Sequence, residues 1–262
     1  MEVKMESQAG VALVAKAFQI LDLFQASSPT WSQAEIIRKT DLNRSTVNRL
    51  VRFLAGRGYL VQIAYSGRYS LGLSAIELGN RANAGFDLRA NCQAAMEELS
   101  AKVNETVVLS AFDPFKMVAV CIDQVESRKE GLRVFEKVGS SFPLHAGAAP
   151  KAILAFLNED TREEFLQNQL KRFTANTLTS KKEMRQDIEE TRLRGYALSR
   201  EETYEGTVGL AAPIFGPLGT AIGSLAVALP VHRATPEALT TIAQQVLSEA
   251  RSVSETLTGA VE

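Results

Sequence analysis

In the stretch DLNRSTVNRLVRFLAGRGYL, residues 41–60, apolar Val47, Leu50, Val51 and Leu54 recur at three- and four-residue spacing, the period of one buried helix face. Arg44, Ser45, Thr46, Asn48, Arg49 and Arg52 fall on the opposite side. The pattern predicts a helix that begins at Arg44, with Asn43 placed to cap it. Upstream, Ser32 and Glu35 of SQAEIIRKTDL have the S-x-x-E spacing of a capping box, which predicts a helix over about 32–39. The polar break at residues 40–43 makes the pair a helix-turn-helix. Downstream the period becomes alternating, with Tyr59, Val61 and Ile63 against Leu60, Gln62 and Ala64. Ser66-Gly67 then signals a turn, so the segment reads as a β-hairpin wing with Arg68 at its tip. In GVALVAKAFQILDLFQA, residues Val11, Val14, Ala17, Phe18, Leu21 and Phe24 form a stripe that predicts a first helix closing the small core. Three helices and a wing make a winged helix-turn-helix.

Beyond the wing, residues 71–84 form a short helical segment, and an amphipathic helix follows from about Phe86, with Leu88, Cys92, Ala95, Met96 and Leu99 on one side. Ala84-Gly85 is the expected hinge, giving domains over 1–84 and 85–262. Strands are expected at 106–112, 117–125 and 132–135, then helices at about 148–157, 162–170 and 181–194, the last ended by Gly195. TVGLAAPIF and TAIGSLAVAL, joined by GPLG, predict two more strands, and Pro236 opens a final helix to about Leu257. Helices with a mostly antiparallel sheet give an α+β class, with a sensor-like second domain.

Charge is unevenly distributed along the chain. Residues 38–68 hold seven Lys or Arg against one acid, whereas the whole chain is net −1. Residues 1–80 carry nine basic and six acidic side chains; the remaining 182 carry 20 and 24. Such asymmetry points to a nucleic-acid-binding module joined to something else, although an amphipathic arginine helix taken alone is also an ordinary solvated face. In the usual docking of a second helix in the major groove, Ser45, Thr46, Asn48 and Arg49 stand near base edges, while Arg44, Arg52 and Arg68 suit phosphates. The partner expected is double-stranded DNA. No run of 18 apolar residues and no secretory leader pattern is present, so the expectation is a cytoplasmic protein with no membrane partner. The two cysteines lack CxxC spacing, and the two histidines are far apart in sequence; no metal and no cofactor are expected.

The stretch SFPLHAGAAPKAILAF leads small residues 146–149 into a helix, with Lys151 one turn in. Open backbone amides at a helix start attract anions such as carboxylates, and a tight loop packed through small residues is the other reading. No nucleophile, zinc or phosphate-loop motif accompanies it. A small-molecule enzyme using His145, Lys151 and Ser199 is the competing class, and a DNA-binding protein whose second domain serves only assembly is a third.

In this order the features resemble the IclR family of bacterial transcription regulators along nearly the whole chain. The resemblance is carried by LNRSTVNRLVRFLAGRGYL, GRYSLGLSAIELG, VGSSFPLHAGAAPKAILAFL, RFTANTLTS, RGYALSREE and AAPIFGPLGTAIGSLAVALP. It implies a winged helix domain, a linker helix and a GAF-like effector-binding domain, acting as dimers or dimers of dimers on operator DNA, with a small organic molecule as effector. The family's amide contacts to a ligand carboxylate would fall at Ala148 and Ala149. An acidic position becomes Ser199, a position often cysteine becomes Gly209, and two positions that can be serine become Ala226 and Ala228; Phe142 would line an apolar wall. The resemblance thus implies fewer side-chain hydrogen bonds, more apolar space, and a flatter ligand such as an aromatic acid.

Overall fold

The computed structural model describes residues 9–25, 28–85, 88–132 and 134–259. Two compact units divide between residues 86 and 87. Ala84 and Gly85, read from the sequence as a hinge, lie in the last turn of a helix.

The first unit runs α1 (Ala9–Leu21), α2 (Gln33–Thr40), α3 (Arg44–Gly56), β1 (Leu60–Gln62), β2 (Tyr69–Leu71) and α4 (Leu73–Gly85). Both N-caps form as the sequence predicts. Ser32 and Glu35 make a reciprocal capping box, and the Asn43 side chain accepts from the Thr46 amide at 2.8 Å. Val47, Leu50, Val51 and Leu54 are buried against Ile20, Phe24, Ile36, Leu60 and Tyr69. The first-helix stripe requires correction: Val11, Val14 and Phe18 are exposed. Phe24 of the stripe is buried and Ala17 and Leu21 are partly buried, as expected, while Ile20 and, in part, Leu13 enter the core in place of the exposed three. Leu13, Ala17 and Ile20 form an i, i+4, i+7 set as regular as the one chosen, so α1 is apolar on two sides and periodicity alone could not choose between them.

The second unit runs α5 (Leu88–Val103), β3 (Thr106–Asp113), β4 (Val118–Val125), β5 (Ser141–Pro143), α6 (Ala148–Ala155), α7 (Glu159–Gln167), α8 (Lys181–Arg194), β6 (Ala197–Arg200), β7 (Thr207–Phe215), β8 (Ala221–Pro230) and α9 (Pro236–Thr258). Its six-stranded sheet has the order β5-β4-β3-β8-β7-β6. Every adjacent pair is antiparallel. The two faces differ in side-chain size because successive residues of a strand point to opposite sides. Val107, Leu109, Leu210, Leu225 and Val227 fill the face covered by α5 and α9. Val108, Ala211 and Ala226 meet Ala148 and Ala152 of α6 on the other.

The strand expected at 132–135 is not found among the described residues: Leu132, Val134 and Phe135 lie outside any strand, and residue 133 lies outside the described residues. Side chains satisfy this backbone instead. The Thr106 hydroxyl donates to the Val134 carbonyl at 2.7 Å, and the Glu136 amide donates to Gln124 Oε1 at 3.0 Å.

Candidate functional site

In the first unit, capping fixes how α3 begins, and the buried apolar face fixes which side is offered. Arg44, Ser45, Arg49 and Arg52 are exposed, and Thr46 and Asn48 are half-buried beside them. Among the described residues no carboxylate pairs with Arg44, Arg49 or Arg52. Ser45 is partly committed, since its hydroxyl donates to Asn43 Oδ1 at 2.9 Å.

Arg68 departs from expectation. The hairpin turn is made at residues 63–67, where Ile63 accepts from the amides of Ser66 and Gly67. Arg68 therefore lies at the foot of β2 rather than at the tip. Its guanidinium pairs with Glu35 at 2.9 Å and donates to the Thr30 hydroxyl and carbonyl. Hydrogen bonds from the Ser32 amide and hydroxyl, then the Arg68 contact, lower the Glu35 carboxyl to about 2. Arg68 thus ties the wing to the start of α2.

In the second unit, Phe142, Ala148, Ala149, Ser199, Gly209, Ala226 and Ala228 all line one cavity, with about 680 Å³ of atom-free space including its open mouth. The small-residue face of the sheet is its floor, and the N-terminus of α6 closes one side. Gly209 permits this closeness: a Cβ there would stand 3.1 Å from the Ala148 Cβ. Gly147, at φ +92°, turns the chain into α6, and its amide donates to Glu202 Oε2 at 3.2 Å. Among the described residues the next two amides, of Ala148 and Ala149, meet no protein acceptor, and residue 150 is proline. They are the unsatisfied donors of a helix start, facing a cavity.

Lys151 is not a ligand group. It is 1% exposed, and its Nζ donates to Glu202 Oε1 at 2.7 Å, Asp187 Oδ1 at 3.1 Å and the Leu198 carbonyl at 2.9 Å. Burial pushes the Glu202 carboxyl above its ordinary value, against the pull of Lys151 and the Gly147 amide. His145 is buried between Phe165 and Phe173 with Nε2 on the Lys171 carbonyl, and burial lowers its pKa, so it is held neutral. Of the competing catalytic set only Ser199 lines the cavity.

The side-chain chemistry is richer than the sequence implied. Glu136, Thr203 and Tyr204 line the cavity from loops, where no periodic signal marks them. Phe142 and Tyr204 pack edge to face with centroids 6.0 Å apart. Burial raises the Glu136 carboxyl although it accepts from the Ser140 hydroxyl at 2.7 Å. Burial also raises Tyr204, with the Glu136 charge adding to it, and pushes Cys121 up to about 12, which leaves that thiol unreactive.

A basic helix-turn-helix joined to a second domain that holds a cavity is the architecture of a DNA-binding regulator rather than an enzyme. The family models for the IclR helix-turn-helix domain and the bacterial transcriptional regulator IclR C-terminal domain match residues 13–64 and 81–255. The chain belongs to the IclR family and is a DNA-binding transcriptional regulator. It is 31% identical to the HTH-type transcriptional regulator KdgR of Escherichia coli, covering 93% of this chain and 92% of that one. The transcriptional repressor IclR of the same species is 27% identical over 93% and 89%. A crystal structure of an IclR regulator from Silicibacter superposes with a TM-score of 0.87 at 26% identity, covering 95% of this chain and 98% of that one. A Microbacterium hydrocarbonoxydans homologue crystallised with 4-hydroxybenzoate has a TM-score of 0.76 at 23% identity, covering 92% and 99%, and shares the fold.

Proposed function

We propose that the chain controls a catabolic gene or operon by binding operator DNA through α3 and releasing or tightening that grip when a small carboxylic acid enters the second domain. One observation carries the effector class: two unpaired amides, of Ala148 and Ala149, face a cavity whose other walls are largely apolar and aromatic. A carboxylate satisfies both amides, and a ring lies on the small-residue floor against Phe142, so an aromatic acid fits best. In this account Phe142, Ser199, Gly209, Ala226 and Ala228 shape the space, while Arg44, Ser45, Thr46, Asn48, Arg49 and Arg52 face the DNA. A ligand that prefers one conformation by about 1 to 3 kcal/mol changes operator affinity roughly 5- to 150-fold.

The active form is a homodimer. Val11, Val14 and Phe18 of α1, and Leu73, Ile76 and Leu78 of α4, expose large apolar side chains that a monomer would leave in water. Among the described residues no helix is long and apolar enough to cross a membrane, and operator binding places the protein in the cytoplasm.

Calorimetric titration with benzoate, 4-hydroxybenzoate, pyruvate and glyoxylate tests the effector class. Binding of the aromatic acids with little or no binding of the two- and three-carbon keto acids is expected. The reverse order refutes it. Light scattering tests the assembly: Phe18→Asp lowers the oligomeric mass, and an unchanged mass removes α1 from the interface.

A further inference from the structure

We infer that Glu136 is a second anchor in the cavity, so that the effector carries a hydrogen-bond donor, a hydroxyl or N–H, at the end opposite its carboxylate. The inference rests on the cavity being the effector site.

Glu136 lines the cavity and Glu202 bonds to the Gly147 amide at its edge, and the two carboxylates differ in what remains free. Glu202 is committed: Oε1 accepts from Lys151 and Oε2 from the Gly147 amide. Among the described residues no cation pairs with Glu136. Its donors are the Ser140 hydroxyl and the Lys137 backbone, too few to offset burial, which holds its pKa above the ordinary value. An ionised carboxylate offers about four acceptor positions, so capacity is left for a donor that arrives with a ligand. Such a donor restores what burial removes. A second carboxylate on the ligand would be repelled.

Reach selects the ligand further. Ala148 packs on Gly209 of β7, and Glu136 accepts from the hydroxyl of Ser140, whose carbonyl accepts from the Cys121 amide of β4 at 2.9 Å. From β7 through β8 and β3 to β4 is three strand spacings, about 14 Å. A two- or three-carbon acid touches one anchor, whereas an extended acid touches both. The donor can stand on an aromatic ring or on a sugar-acid chain; both present the same hydroxyl chemistry to Glu136.

Titration of the full chain separates these sources with benzoate, 2-hydroxybenzoate, 4-hydroxybenzoate and gluconate, on wild type, Glu136→Gln and Glu136→Leu, each first checked for a native melting transition. Wild type is expected to bind 4-hydroxybenzoate or gluconate about tenfold or more tightly than benzoate, as a hydrogen bond to a charged acceptor should give. Glu136→Leu is expected to erase that preference and Glu136→Gln, which keeps one neutral acceptor, to weaken it, while benzoate binding holds or strengthens. Preference for gluconate, lost in Glu136→Leu, assigns the donor to an aliphatic alcohol. An unchanged preference in both variants overturns the role of Glu136 and leaves the carboxylate reading intact. No binding of any acid to wild type overturns that underlying reading as well.

Discussion

Replacing Lys151 by methionine tests what holds the cavity's amide edge in place. The lysine is 1% exposed and is surrounded by Glu202, Asp187 and the Leu198 carbonyl at 2.7 to 3.1 Å. Methionine has similar length and no charge, so the change leaves the Glu202 carboxylate buried without its cation. Removing one partner of a buried pair costs about 3 to 5 kcal/mol, because the remaining charge keeps its desolvation penalty. The sign of the pH dependence follows from Glu202, whose folded pKa already lies above its unfolded value. An acid raised on folding stabilises fully below its unfolded pKa and loses that contribution as pH rises through the folded one. Without Lys151 the folded value rises further. The deficit of Lys151→Met relative to wild type is therefore largest near pH 7 and shrinks as the pH falls toward 4.5. His145 opposes this trend, since burial lowers its pKa and stability is lost as pH falls below its ordinary range, but it does so equally in both proteins. Urea unfolding of both at several pH values measures the difference, and Glu202→Gln in the Lys151→Met background is expected to recover much of it near pH 7. A deficit below about 1 kcal/mol, or one independent of pH, refutes the reasoning.

Other substitutions probe the remaining parts. Arg49→Ala should weaken operator binding by about 1 to 3 kcal/mol in a filter-binding assay with little change in melting temperature, and unchanged affinity would remove α3 from the groove. Arg68→Ala should loosen the wing from α2 and raise the Glu35 carboxyl part of the way, the Ser32 hydrogen bonds still holding it below its ordinary value, followed by carboxyl NMR titration; a Glu35 titration that does not move would contradict the pairing. Its loss should change operator affinity through wing position, so a drop of one unit in salt slope with an intact wing would restore it as a direct phosphate contact. Gly209→Val should press on Ala148, cost about 1 to 3 kcal/mol of stability and abolish effector binding, because even a Cβ stands 3.1 Å from its neighbour. Normal effector affinity in that variant would place the ligand elsewhere.

The helix-turn-helix was legible because its signals are local: the capping box at Ser32 and Glu35, the Asn43 cap and the i, i+3, i+4 set of α3 all involve residues within a turn or two. The first helix was legible as an element but not in orientation, since apolar residues on two sides make the buried side a tertiary choice. The cavity floor was legible only through the family resemblance, which pointed to Gly209, Ala226 and Ala228; the pairing of β7 with β8 puts these three on one face. What escaped depends on distant partners. β5 and β6 are too short to show a period, and in the 132–135 run the Val134 carbonyl accepts from the distant Thr106 hydroxyl. Glu136 and Tyr204 enter the cavity from loops, and the neutralisation of Lys151 depends on Glu202, 51 residues away. The Arg68 pairing spans 33 residues to Glu35 and likewise has no local signature.

The most direct measurement is a gel shift of the full-length protein on DNA upstream of its own gene, with and without 4-hydroxybenzoate, benzoate and gluconate. Specific binding that one of these acids changes at least fivefold is expected, with the response lost in Gly209→Val. Specific binding indifferent to every acid would contradict the switch and favour a second domain that serves assembly alone.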